Sequence, residues 1–155
     1  MAGISVERAV AAPPSVVWGI VTDLDRAAGV IGSITSVERL DGRAGFGVGT
    51  RWRETRTLFG RQATEVLEVT AVDEGRAYTV EADSRGTNYR SVIRVEPDGA
   101  GSRLSMTFEA EPSGAVAKLM AATIGRLFEG STRKALQRDL DDIAAAAEAA
   151  ALTTD

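Results

Sequence analysis

The chain has 155 residues, of which 44% are hydrophobic and 26% are charged, and this composition is typical of one folded domain of ordinary size. The absence of cysteine and histidine excludes disulfides, thiol nucleophiles, the usual zinc ligand sets and histidine-based catalytic triads. The formal charge of −4 argues against a nucleic-acid partner, because such partners normally require a basic surface.

No stretch of the sequence approaches the roughly 20 apolar residues that a helix needs to span a bilayer, and the amino terminus lacks the apolar segment of a secretory signal. We therefore expect a cytoplasmic protein without integral membrane association. The glycine-rich segment Gly45–Gly49 lacks the trailing glycine and the strand–loop–helix setting of a phosphate-binding loop. Neither a metal site nor a cofactor is predicted.

The amino-terminal part of the chain predicts one strand and two short helices. Ile4–Val10 alternates apolar and polar residues, which is typical of a half-buried strand. Pro13-Pro14-Ser15 ends this strand, and proline suits the first turn of a helix that continues through the apolar residues up to Val21. A second short helical segment is predicted around Asp25–Val30.

The middle of the chain predicts six strands that are separated by short turn signals. Each strand is followed by a glycine-containing segment, and strands at such short spacing are typical of consecutive antiparallel hairpins. The segment Asp41–Gly49 is longer than the other turns and rich in glycine, so it could form a mobile edge over an opening. The predicted strands are Ile34–Leu40, Thr50–Leu58, Gln62–Val72, Ala77–Ser84, Asn88–Glu96 and Ser102–Ala110.

A long carboxy-terminal helix is predicted from Ala115 onward, because strong helix formers follow Pro112-Ser113-Gly114 without a further proline. It carries two apolar stripes, which consist of Leu119, Met120, Thr123 and Leu127 and of Leu136, Leu140, Ile143 and Ala147. The stripes are about half a turn out of phase, and between them lies Gly130-Ser131, a pair at which helices kink or break. We expect the sheet to hold the second half of the helix and the first half to be directed elsewhere.

The order of these elements predicts an α+β fold. A curved antiparallel sheet of about seven strands, wrapped around the long carboxy-terminal helix, buries the apolar faces of both. Two short helices follow the first strand. We expect a single domain over residues 1–150 and a frayed tail over residues 151–155.

The chain resembles the START-like, birch-pollen-allergen-like superfamily (SRPBCC), in its polyketide cyclase/dehydratase and lipid-transport branch. The resemblance covers nearly the whole chain, and it depends on the order and spacing of several short motifs. These are Ala12–Trp18 after the opening strand, Thr22-Asp23, Gly49-Thr50, Val69-Thr70 and Leu136–Ile143. The resemblance implies a helix-grip fold, in which the hollow between sheet and helix usually binds an apolar small molecule. Family membership alone does not determine the function.

Alternation along the strands predicts which side chains face this hollow. The strand Gln62–Val72 is the exception, because its apolar residues fall on both faces and suggest a bulge. The residues that we predict to bind a ligand are Trp52, Glu54, Arg56, Tyr78, Val80, Tyr89, Ile93, Met106 and Phe108 from the sheet, and Met120, Ile124 and Leu127 from the helix.

Glu54 and Arg56 are the polar members of this set. If Trp52 points inward, both of them do as well, and an unpaired charge in an apolar interior is unfavourable. They must therefore pair with each other or meet water. They could form the polar floor of a ligand cavity, or they could form a structural ion pair at its edge.

The function that we predict is the binding or carriage of a hydrophobic small molecule such as a lipid, a polyketide or an aromatic metabolite. An alternative is a polyketide aromatase/cyclase or dehydratase, in which Arg56 stabilises an enolate and Glu54 moves protons. A regulatory module that binds a protein partner is a further alternative with the same fold. No nucleic-acid partner is expected.

Overall fold

The computed structural model consists of a seven-stranded antiparallel sheet, a long carboxy-terminal helix and short helices that follow the first strand. It describes residues 3–153 with the exception of residues 43, 59 and 85. In the last helix, it describes the backbone but not the side chains of residues 116, 117 and 120–128. The predicted α+β helix-grip fold is confirmed.

The strands form one sheet in the order β1-β7-β6-β5-β4-β3-β2, and every neighbouring pair is antiparallel. Strands β2 to β7 follow each other as a meander, and the last strand, β7, also pairs with β1. The strands are β1 Ile4–Val10, β2 Ile34–Arg39, β3 Arg51–Leu58, β4 Arg61–Asp73, β5 Ala77–Ser84, β6 Thr87–Asp98 and β7 Gly101–Pro112. The helices are α1 Pro14–Val21, a single 3-10 turn Leu24–Arg26, α2 Ala27–Val30 and α3 Ala115–Thr153.

Glycine permits two of the tight turns of the meander. Gly75 between β4 and β5 has a φ of 79°, and Gly99 between β6 and β7 has a φ of 58°. Both values lie in the left-handed region, which a residue with a Cβ atom adopts only at a cost. The predicted hairpins therefore close at the glycines that the sequence places there.

The bulge that the sequence suggests in β4 is confirmed. Val69 pairs with Val80, whereas the next paired residue, Ala71, lies opposite Thr79, so that Thr70 is the extra residue. A bulge shifts the alternation by one position. Leu67 and Val69 before the bulge and Val72 after it therefore pack into the same apolar cluster on the concave face of the sheet.

The second half of α3 forms the main core with β1, β7 and α1. Leu140, Ala144 and Ala147 are fully buried, and they pack in one cluster with Val17 and Leu104. This agrees with the expectation that the sheet holds this half of the helix.

The helix break that Gly130-Ser131 suggests does not occur, because α3 runs without interruption through its 39 residues. One glycine costs a helix only about 1 kcal/mol, and the flanking helix formers offset that cost. Within the part of the chain that the structure describes, no helix combines the length and the apolar character that are needed to cross a bilayer.

Candidate functional site

A cavity of about 410 Å³ lies between the concave face of the sheet and the long helix. Strands β3 to β7 form one wall, and the segment from Ile20 to Ile34 and residues 132–143 of α3 form the others. All nine sheet residues that were predicted to face the hollow line it: Trp52, Glu54, Arg56, Tyr78, Val80, Tyr89, Ile93, Met106 and Phe108. The predicted helix residues Met120, Ile124 and Leu127 have side chains outside the described part of the chain.

The helix also reaches the cavity through its second half. Leu136 and Ile143, which the sequence assigned to packing alone, line the cavity as well as the core. The assignment of separate roles to the two halves was therefore too strict. The reason is geometric, because a helix stripe about 100° wide can touch a core at one edge and a cavity at the other.

The cavity contains a charged cluster that is centred on Arg56. Its Nε lies 2.6 Å from Oε2 of Glu54, and its Nη1 lies 2.7 Å from Oδ2 of Asp139 in α3. Nη1 also donates to the hydroxyl of Ser33 at 3.0 Å, and Nε1 of Trp52 donates to Oε1 of Glu54 at 3.3 Å. The sequence required Glu54 and Arg56 to pair or to meet water, and they pair.

Burial shifts the pKa values of the groups around this cluster. Desolvation raises the pKa of Asp139, although the neighbouring Arg56 opposes the shift. Desolvation by itself would lower the pKa of Arg56, but Glu54 and Asp139 together hold it above its ordinary value. The pKa of Tyr78 is raised by burial and by the charge of Glu54, and its hydroxyl donates to the carbonyl of Val21 at 3.0 Å.

Asp139→Asn tests this electrostatic arrangement through the pH dependence of stability. Because the pKa of Asp139 is raised on folding, the folded state keeps a proton that the unfolded state releases at lower pH. The stabilisation is complete below the ordinary carboxyl pKa of about 4 and is lost as the pH rises through the raised pKa. We expect the free energy of unfolding of the wild type, measured in urea, to fall relative to that of Asp139→Asn as the pH rises from about 4 through the raised pKa of Asp139. Parallel pH profiles would contradict the assignment.

Among the polar residues of the site that sequence reasoning missed are Asp23, Ser33, Glu65 and Asp139. Asp139 lies three residues after Leu136 and four before Ile143, so a charged residue on an apolar helix stripe was the available signal. Glu65 lies two residues before Leu67, so the two side chains share the cavity face of β4. The sequence could not assign this face, because the bulge reverses the alternation between Val69 and Ala71. Nothing in the sequence distinguished Ser33.

The comparisons with known proteins agree with this architecture. The family model described as polyketide cyclase/dehydrase and lipid transport matches residues 1–148. The search of curated proteins finds no significant match.

Two solved structures share the fold at low sequence identity. TTHA0849 from Thermus thermophilus has a TM-score of 0.78 and 19% identity, with 96% of this chain and 99% of that chain covered. Ara h 8.0201, a Bet v 1-like allergen, has a TM-score of 0.63 and 16% identity, with 99% of both chains covered. The chain belongs to the polyketide cyclase/dehydrase and lipid transport family, which is of the SRPBCC type.

Proposed function

We propose that the protein binds a hydrophobic small molecule in the cavity between the sheet and α3. The observation that carries the proposal is a cavity of about 410 Å³ with a mostly apolar lining and one charged cluster on its wall. Sites for small molecules are typically concave, apolar and about 300–1,000 Å³ in volume, with a few polar groups that orient the ligand.

Aromatic side chains supply much of the apolar surface of this cavity. Tyr89 and Phe108 are stacked, with ring centroids 5.8 Å apart and planes inclined by 21°. Trp52 lies on the opposite part of the same concave face and is 5% exposed. Large, rigid rings present apolar area that does not need to be ordered when a ligand arrives. This suits a lipid-like or an aromatic ligand.

We favour binding over the cyclase or dehydratase alternative because of the contacts of Glu54 and Arg56. Both carboxylate oxygens of Glu54 already accept hydrogen bonds, one from Trp52 and one from Arg56. The guanidinium donates to Glu54, Ser33 and Asp139. Proton transfer by Glu54, or enolate binding by Arg56, would first require some of these contacts to break. The pair is better arranged to hold the shape of the cavity.

Filling the cavity tests the proposal. Ser91 lines the cavity and lies opposite Phe108 across the β6–β7 pair, so Ser91→Phe places a ring in the space that a ligand would use. We expect this variant to bind the neutral fluorescent probe N-phenylnaphthylamine at least about tenfold more weakly than the wild type, a loss of about 1.4 kcal/mol.

Ser105→Phe is the matched control. Ser105 is paired with Glu7 and lies next to inward-facing Leu104 and Met106 on β7, so that its side chain points to the other face of the sheet. We expect its probe affinity to equal that of the wild type. Wild-type probe affinity in a folded Ser91→Phe variant, or an equal loss in both variants, would refute ligand binding in this cavity.

A further inference from the structure

The charges on the cavity wall indicate what kind of head group the ligand carries, and this inference rests on the proposed function. Among the lining residues that the structure describes, four are acidic, namely Asp23, Glu54, Glu65 and Asp139, and one is basic, namely Arg56. The cavity itself is the binding site. The charged residues determine which sign of ligand charge it tolerates.

Arg56 is not available as the counter-ion of an acidic ligand. Its guanidinium contacts Glu54 and Asp139 at 2.6 and 2.7 Å, so its single positive charge already lies between two carboxylates. The side chain of Asp139 is only 6% exposed and that of Glu54 only 12% exposed, so water screens their charges weakly. A ligand carboxylate at this wall would add a further negative charge to the cluster of Glu54, Arg56 and Asp139, which already holds two carboxylates and one guanidinium.

Glu65 differs from Glu54 and Asp139 because no side chain that the structure describes neutralises it. The alternation of β4 places it on the cavity face with Leu67, and it is half-buried there. In the described part of the chain its carboxylate makes no hydrogen bond or ion pair. The register of β3 and β4 sets Glu65 directly opposite Glu54, and like charges in that position repel each other. A cation or a strong hydrogen-bond donor beside Glu65 would remove this repulsion.

We propose that the natural ligand is a hydrophobic amine. Its ammonium group hydrogen-bonds to Glu65 on the side that faces Glu54, and its apolar part occupies the aromatic lining of the cavity. Hydrogen bonds between two charged groups are stronger than those between neutral groups. The same wall repels fatty acids and other carboxylates.

Displacement of bound N-phenylnaphthylamine by three ligands tests this proposal. Decylamine, decanol and decanoate have the same apolar tail and carry a positive, a neutral and a negative head group at pH 7. We expect decylamine to compete best and decanoate worst. In Glu65→Gln, the affinity for decylamine falls about tenfold, which corresponds to the loss of one charged hydrogen bond. The affinity for decanol falls much less, because decanol carries no positive charge for Glu65 to pair with.

Glu68→Gln is the matched control, because Glu68 lies on the same strand but is exposed and lies on the opposite face, where it is paired with Arg51 and Glu81. We expect it to leave the order of the three ligands unchanged. Tightest binding of decanoate, or an unchanged preference for decylamine in Glu65→Gln, would overturn the amine proposal while cavity binding stands. If neither the probe nor decanol binds to the wild type, the proposed function itself fails and the amine proposal fails with it.

Discussion

Arg56→Met is expected to lower the free energy of unfolding by about 3 to 5 kcal/mol at pH 7, because it leaves two carboxylates in the interior without their cation. The Met side chain retains most of the apolar stem of Arg56, so the loss reports mainly on the charge. The pKa of Asp139 should rise further in this variant, since Arg56 is the group that opposes its desolvation. A raised folded-state pKa gives stability at low pH that is lost as the pH rises through it. The cost of the substitution should therefore shrink towards pH 4.

Urea denaturation of wild type and Arg56→Met across the range from pH 4 to 8 measures this effect. The control is Arg53→Met on the same strand, because Arg53 faces solvent and its ion pair with Glu38 at 2.8 Å is exposed. Exposed pairs contribute at most about 1 kcal/mol. Adding Asp139→Asn to Arg56→Met should restore part of the loss at pH 7. Equal effects of Arg56→Met and Arg53→Met would show that the cluster around Arg56 is well hydrated.

Leu140→Ala is expected to destabilise the protein by about 2 to 5 kcal/mol, through lost burial and the cavity that remains. Leu140 has no exposed surface, and it packs in the cluster that joins α3 to β1, β7 and α1. Because both residues are good helix formers, the substitution hardly changes helix propensity. The loss therefore measures how firmly the second half of α3 is held by the sheet.

Leu152→Ala provides the comparison within the same helix, since Leu152 is 86% exposed. An exposed substitution usually changes stability by less than about 0.5 kcal/mol. In thermal or urea unfolding, Leu140→Ala should therefore lose several times more free energy of unfolding than Leu152→Ala. Similar losses for the two leucines would mean that the core does not depend on the packing of α3 against the sheet.

Much of the fold follows from local patterns. The alternation of β3, β5, β6 and β7 assigned the correct face to every predicted sheet residue of the cavity, because neighbouring side chains on a strand must point to opposite faces. Glycines at the turns and helix formers after Ala115 defined where the strands and the last helix begin and end to within a few residues. The sequence limited Glu54 and Arg56 to pairing or hydration, since both side chains lie on one face of β3, and the structure shows that they pair.

Contacts between residues that are far apart in the sequence could be identified only from the tertiary structure. Asp139 meets Arg56 across 83 positions, and this contact depends on how α3 lies over the curved sheet rather than on any local preference. The position of the bulge at Thr70 decides that Glu65 shares a face with Val72, because one extra residue reverses the alternation of the strand. The helix α3 continues through Gly130 because the cost of one glycine is small and the flanking helix formers offset it. The Gly130-Ser131 pair alone therefore does not predict whether the helix breaks. The sequence alone therefore determined the elements and the faces of β3, β5, β6 and β7, whereas the tertiary structure decided the face of β4 and which charges meet inside the cavity.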